Sequence, residues 1–200
     1  MVEKLTISDG LVSILQGANN MKDISILRGI NVSGQKKIKM ADLKCLYENL
    51  GFTNVATYIQ SGNVIFDSEI SAKKTLKQLI EKQISLEYGF DVPVIIRTHL
   101  DFKQIIADCP FGEVNLFEDG TKVLLTLLAD TPKAENIARL MTYVKAPEQL
   151  TVNGRHAYLH CPNGYGRSKL SNVFIENKLK VQATTRNWKT VHKLFELSLP

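Results

Sequence analysis

Cysteine is scarce in this chain. Cys45, Cys109 and Cys161 lie far apart, their number is odd, and no Cys-x-x-Cys spacing occurs. That pattern argues against a disulfide framework and a structural zinc site, and each thiol reads as a small buried hydrophobe. No apolar run approaches the roughly 20 residues that span a bilayer. Met1–Asn20 lacks the basic, apolar, small-residue order of a secretory signal, so a cytoplasmic protein with no membrane partner is expected. No nucleophile elbow frames a Ser/Cys–His–acid triad. His156, Tyr158 and His160 alternate along one stretch, but residues i and i+4 of a strand are about 13 Å apart, too far to share a metal. No catalytic constellation, metal site or cofactor motif stands out.

What remains is ordinary in composition, with 44% hydrophobic and 22% charged residues, enough for a sizeable core. The net charge of +5 is unevenly spread. From Arg155 to Pro200 there are eight Lys/Arg against two acids, Glu176 and Glu196, giving +6; the rest of the chain therefore sums to −1. A basic final quarter suits an anionic partner or a solvated surface that keeps the protein soluble.

The punctuation of the chain predicts an α+β fold. Residues 1–20 end in the loop-forming Gly17-Ala18-Asn19-Asn20 and read as a peripheral N-terminal extension. Over 21–98 the order is strand (Ile24–Ile30), helix (Met40–Leu50, Gly51 behind it), strands Asn54–Gln60 and Asn63–Asp67 joined by Ser61-Gly62, helix (from a Ser71 cap to Tyr88) and strand (Val92–Arg97). That is β-α-β-β-α-β, a ferredoxin-like unit. A connecting helix and loop fill 99–121, with His99–Asp108 helical. The order then recurs over 122–200. It has a strand (Lys122–Leu128), a helix begun by Thr131-Pro132, and strands Glu148–Val152 and His156–Cys161 around Asn153-Gly154. A helix (Ser168–Leu179), a strand (Lys180–Thr184) and a final helix capped by Asn187 follow. Two ferredoxin-like halves, each with an antiparallel sheet and helices packed on it, are the expectation. The absence of a Pro- or Ser-rich linker favours one compact body.

Two polar blocks sit where strands end: Arg28-Gly29-Ile30-Asn31-Val32-Ser33-Gly34-Gln35-Lys36-Lys37, and Thr57-Tyr58-Ile59-Gln60-Ser61-Gly62-Asn63-Val64. In a β-α-β-β-α-β unit the exit of strand one and the hairpin after strand two lie at the same end of the sheet, so the blocks should meet. Lys36, Lys37 and Lys39 stand near a helix N-terminus, where the macrodipole disfavours cations unless an anion is bound. Arg28 adds charge, and no acid occurs between Asp23 and Asp42. Asn31, Gln60, Ser61 and Asn63 offer directional hydrogen bonds. Lys169 and Arg186, in two further basic loops at helix starts, join the candidate ligand-binding set. The competing reading gives the glycines to turns and the lysines to water.

Arg28-Gly29-Ile30-Asn31-Val32, Lys39-Met40, Tyr58–Val64, Ser168-Lys169-Leu170 and Thr184-Thr185-Arg186-Asn187-Trp188 resemble the hallmark segments of the bacterial domain-of-unknown-function family 1697. The resemblance runs from Met21 to about Leu197 and implies two ferredoxin-like subdomains. It implies no established activity, cofactor or substrate. Ser33-Gly34 stands where Gly-Gly is common in that family.

Three functions are compatible with these residues. The leading one is a small binding module for an anionic ligand, either a nucleotide-like metabolite or a nucleic-acid backbone. An enzyme acting on a small anionic substrate would need a base or nucleophile that the polar blocks lack. A protein-interaction scaffold would use Arg28 and Asn63 only to staple loops.

Overall fold

A computed structural model describes residues 22–199. The extension expected over 1–20 lies outside the described residues. The first half contains β1 (Asp23–Leu27), α1 (Met40–Asn49), β2 (Thr53–Tyr58), β3 (Asn63–Asp67), α2 (Lys73–Tyr88) and β4 (Val94–Thr98). Helix α3 (His99–Ala107) leads to the second half: β5 (Val123–Leu128), α4 (Ala134–Met141), β6 (Gln149–Asn153), β7 (His156–His160), α5 (Asn172–Leu179), β8 (Ala183–Asn187) and α6 (Trp188–Leu197). The strands form two four-stranded antiparallel sheets, ordered β2-β3-β1-β4 and β6-β7-β5-β8. The fold is α+β, with six helices among the described residues packed on the two sheets.

Both central strands are buried on both faces and mostly apolar, with Asp23 and Ser25 in β1 and Thr126 in β5 as the buried polar exceptions. In β1, Leu27 faces a core built with Leu43, Leu46 and Tyr47 of α1 and Leu76, Ile80 and Ile84 of α2. Ile24 and Ile26 face the opposite way. In β5, Leu124 and Leu128 meet Leu140 of α4 and Ile175 and Leu179 of α5, while Val123, Leu125 and Leu127 turn inward. The inward residues of the two sheets share a single core with Phe102 and Ile105 of α3 and Trp188, Val191 and Leu194 of α6. The halves are therefore interlocked, and a large-to-Ala change in that core would cost about 2–5 kcal/mol.

Local chemistry explains where the observed boundaries differ from those expected. Ser71 does not cap α2; Ala72 holds that position without a side-chain bond. Thr131-Pro132 does not open α4, which begins after Lys133. Ser168 is spent on a local turn, accepting from Leu170 N, so α5 starts instead at a Ser171 cap that accepts from Phe174 N. Lys180 ends α5 in the left-handed region at φ 60°, and this pushes the last strand to 183–187 rather than 180–184. Gln60 belongs to the β2–β3 turn, not to the strand. Asn187 caps α6 as expected. At the start of α3, Thr98 and Asp101 form a capping box. Of the cysteines, only Cys161 is buried; Cys45 is exposed and Cys109 is half-buried. Among the described residues, no helix is long and apolar enough to cross a membrane.

Candidate functional site

The two polar blocks do meet. Asn31 Nδ2 donates to Gln60 O at 2.9 Å and to Ile38 O at 2.9 Å, and Asn31 Oδ1 accepts from Ile38 N at 3.0 Å. These bonds hold a contorted loop in which Asn31, Ser33 and Lys36 all have positive φ, and across it Ile59 sits at φ 52°, a costly conformation for a β-branched residue. Most of the expected ligand-binding groups are consumed by this architecture. Asn31 closes the loop, Lys36 Nζ donates to Asp91 O at 2.6 Å, and Arg28 pairs with Glu176 of α5. Asn63 is fully buried and donates to Tyr58 O and Ser61 Oγ. Lys37, Lys39 and Gln60 line a cavity of about 400 Å³ with Asp42 and Tyr88, whose hydroxyl burial pushes up to about 12. Lys169 is exposed, and no hydrogen bond joins it to that cavity.

Arg186 is the expected residue with the clearest structural role. Its guanidinium, buried and fed from β8, crosses into the first half. Nε donates to Asn63 Oδ1 at 2.7 Å, and Nη2 donates to Leu27 O and Ser61 O, both at 2.8 Å. Nη1 donates to Thr184 Oγ1 and Thr185 O, both at 2.9 Å. All five N–H groups are spent.

The same clasp exists in mirror role. Arg97 of β4 crosses into the second half, where Nη2 donates to Leu128 O at 2.8 Å and Nε to His156 Nε2 at 3.4 Å, while Nη1 donates to Ile96 O. The frameworks correspond bond for bond. Leu27 N donates to Gly62 O and Leu128 N to Arg155 O; Arg28 N donates to Pro93 O and Ala129 N to Gln182 O. Glu81 of α2 accepts from Val94 N as Glu176 accepts from Ala183 N. Register agrees: Leu27 opposes Val94 as Leu128 opposes Ala183, and Ile26 opposes Asn63 as Leu127 opposes His156.

The twins differ in three respects that bear on chemistry. Thr184, which accepts from Arg186, is matched by Ile95, which has no acceptor, and no carbonyl matching that of Ser61 accepts from Arg97. Among the described residues, Arg97 thus keeps two N–H groups unspent although it is only 2% exposed. Arg28, which fills the twin position and pairs with Glu176, is matched by the small Ala129. A cleft of about 410 Å³ stays open there, between the halves. Lys73, Lys74 and Lys77 of α2, Arg97 and Arg155 line it, opposed by Asp130, and Val94, Ile95, Ile96 and Ala129 supply an apolar wall. Lys73 and Lys74 open α2, whose first-turn N–H groups have no side-chain cap.

Electrostatics sharpen the contrast. Burial pulls both guanidinium groups down to about 10, and for Arg97 the neighbouring Arg155 adds repulsion. Among the described residues, no carboxylate forms an ion pair with either. Burial, Arg97 and Arg155 together pull His156 down to about 4, so its imidazole is neutral and Nε2 accepts from Arg97. None of Arg97, Arg155 or the α2 lysines stood out in the sequence. The available signal was a repeated order, arginine then helix cap then helix, in Arg97-Thr98-His99 and Arg186-Asn187-Trp188.

The fold and this geometry define a class: an α+β protein of two matched, interlocked sheets with a basic cleft along one seam. The chain belongs to the protein family of unknown function DUF1697, whose model matches residues 21–158. It is similar to a solved structure described as the conserved bacterial protein SP0830 from Streptococcus pneumoniae. That likeness has a TM-score of 0.70 at 22% identity and covers 90% of this chain and 99% of the other; at that identity it speaks to the fold alone. No curated protein matches.

Proposed function

We propose that this protein is a binding module for a small anionic ligand, built from two ferredoxin-like halves, and that the ligand sits in the cleft between them. The observation that carries this reading is Arg97: a buried cation with two unspent N–H groups and no carboxylate partner among the described residues. A buried, uncompensated charge is costly, and a bound anion relieves that cost while using the spare donors. The loop cavity at the end of the first sheet is the weaker candidate, because Arg28, Asn31, Lys36, Asn63 and Arg186 are engaged within the protein. Titration calorimetry with inorganic phosphate and sulfate at low salt tests the reading. Ala129→Arg installs in the cleft the side chain that fills its twin, with Glu81 placed to pair with it as Glu176 pairs with Arg28. Wild type should bind and this variant should lose at least tenfold in affinity. Absence of binding, or equal binding by both proteins, would refute the assignment.

A further inference from the structure

Resting on that cleft, we infer that its ligand is a phosphate monoester, a dianion carried on a small organic body. Charge balance is the first ground. Five cations and one acid line the cleft, and Asp23 and Glu81 outside the lining neutralise Lys73 and Lys77, which leaves a local net charge of +2. A phosphomonoester carries about −1.5 to −2 at neutral pH, so it brings the cleft close to neutrality, whereas a sulfate ester or carboxylate leaves it short by one. Donor geometry is the second. The unspent N–H groups belong to one planar guanidinium, the fork that engages two oxygens of one phosphate. The saturated twin marks where acceptor oxygens belong: on Arg186 the corresponding donors are satisfied by Thr184 Oγ1 and Ser61 O. Shape is the third. The apolar wall of Val94, Ile95, Ile96 and Ala129 gives the organic part of the ester a surface to cover, and about 410 Å³ suits a small molecule. A polynucleotide would leave that wall idle and place most of its phosphates beyond the six charged residues.

Phenyl phosphate and phenyl sulfate share one body and differ in charge, and they are the probes. Calorimetric titration at pH 7.5 and low salt should give phenyl phosphate an affinity about tenfold above phenyl sulfate. Both should be lost in Ala129→Arg, and Lys74→Ala with Arg155→Ala should erase most of the difference while leaving Arg97 and the fold untouched. Equal affinity for the two probes, both still abolished by Ala129→Arg, would overturn the phosphomonoester and leave the anion cleft standing. Binding that ignores Ala129→Arg would overturn both. A single-stranded oligonucleotide binding more tightly than phenyl phosphate, with affinity falling steeply with salt, would replace the monoester by a polyanion.

Discussion

Replacing Arg186 by leucine should be among the most damaging single changes in the protein. Four of its hydrogen bonds cross between halves: to Asn63 Oδ1 at 2.7 Å, to Leu27 O and Ser61 O at 2.8 Å, and a long one to Gly62 O at 3.5 Å. Hydrogen bonds from a charged donor contribute about 1.5–3 kcal/mol each, so loss of the three short ones is worth about 4.5–9 kcal/mol. Removing a buried charge recovers part of that, because its desolvation cost disappears with it. Leucine, however, leaves Asn63 Oδ1 and Leu27 O buried without their donor. A net loss of about 4 kcal/mol follows, and at about 2–4 °C per kcal/mol for a chain of this size Tm falls by about 8–16 °C. Arg186→Lys should also lose stability, since an ammonium has three donors and no fork. Arg97→Leu should lose about half as much, because only the Leu128 O bond at 2.8 Å and the long His156 contact at 3.4 Å cross the seam. Thermal unfolding followed by circular dichroism reads all three variants. Arg186→Leu within about 3 °C of wild type, or less harmful than Arg97→Leu, would refute the account of the saturated clasp.

Further consequences follow from the same geometry. His156 is held neutral in the folded protein down to about pH 4, while the unfolded chain takes up its proton near 6.5. Its contribution is therefore complete above pH 6.5 and drains as pH falls toward 4, and His156→Asn, which copies the twin Asn63, should flatten the denaturation midpoint over that window. Gly62→Ala should cost about 2–3 kcal/mol, because φ is +77° and a Cβ would lie 2.6 Å from Ile30 Cδ1 and 2.9 Å from Leu27 Cβ; a Tm within 2 °C of wild type would contradict it. Tyr47→Phe should lose about 1 kcal/mol, since the buried Ser25 hydroxyl then keeps only the long contact to Val64 O at 3.5 Å in place of Tyr47 Oη at 2.7 Å. An unchanged urea midpoint would show that Ser25 finds another partner.

Much of the fold was legible in the chain. Apolar strands, helical spacing and the turn at Asn153-Gly154 are local signals, and they gave the element order twice over. Helix starts were the least legible, because Ser71 and Ser168 have the right chemistry for a cap but the wrong place: one makes no bond and the other closes a turn. The meeting of the two polar blocks also followed from sequence, since strand direction alone brings Asn31 to Gln60. Their occupation by the protein itself did not follow. Glu176 and Arg186 arrive from the second half, far along the chain, and the sequence carries no mark of which groups of the first half they engage.

By itself, then, the amino-acid sequence determined two β-α-β-β-α-β halves and the basic character of the last quarter, because periodicity, turn chemistry and charge are written residue by residue, while the family showed in the resemblance of its hallmark segments. Only the tertiary structure decided which cations are spent and which are free. Arg186 reads as available and has every donor engaged, and Arg28 reads as available and pairs with Glu176, whereas Arg97 reads as the end of a buried strand and, among the described residues, keeps two donors and has no carboxylate partner. The difference turns on Thr184 against Ile95 and Arg28 against Ala129, pairs that become comparable only when the two halves are laid on one another in space.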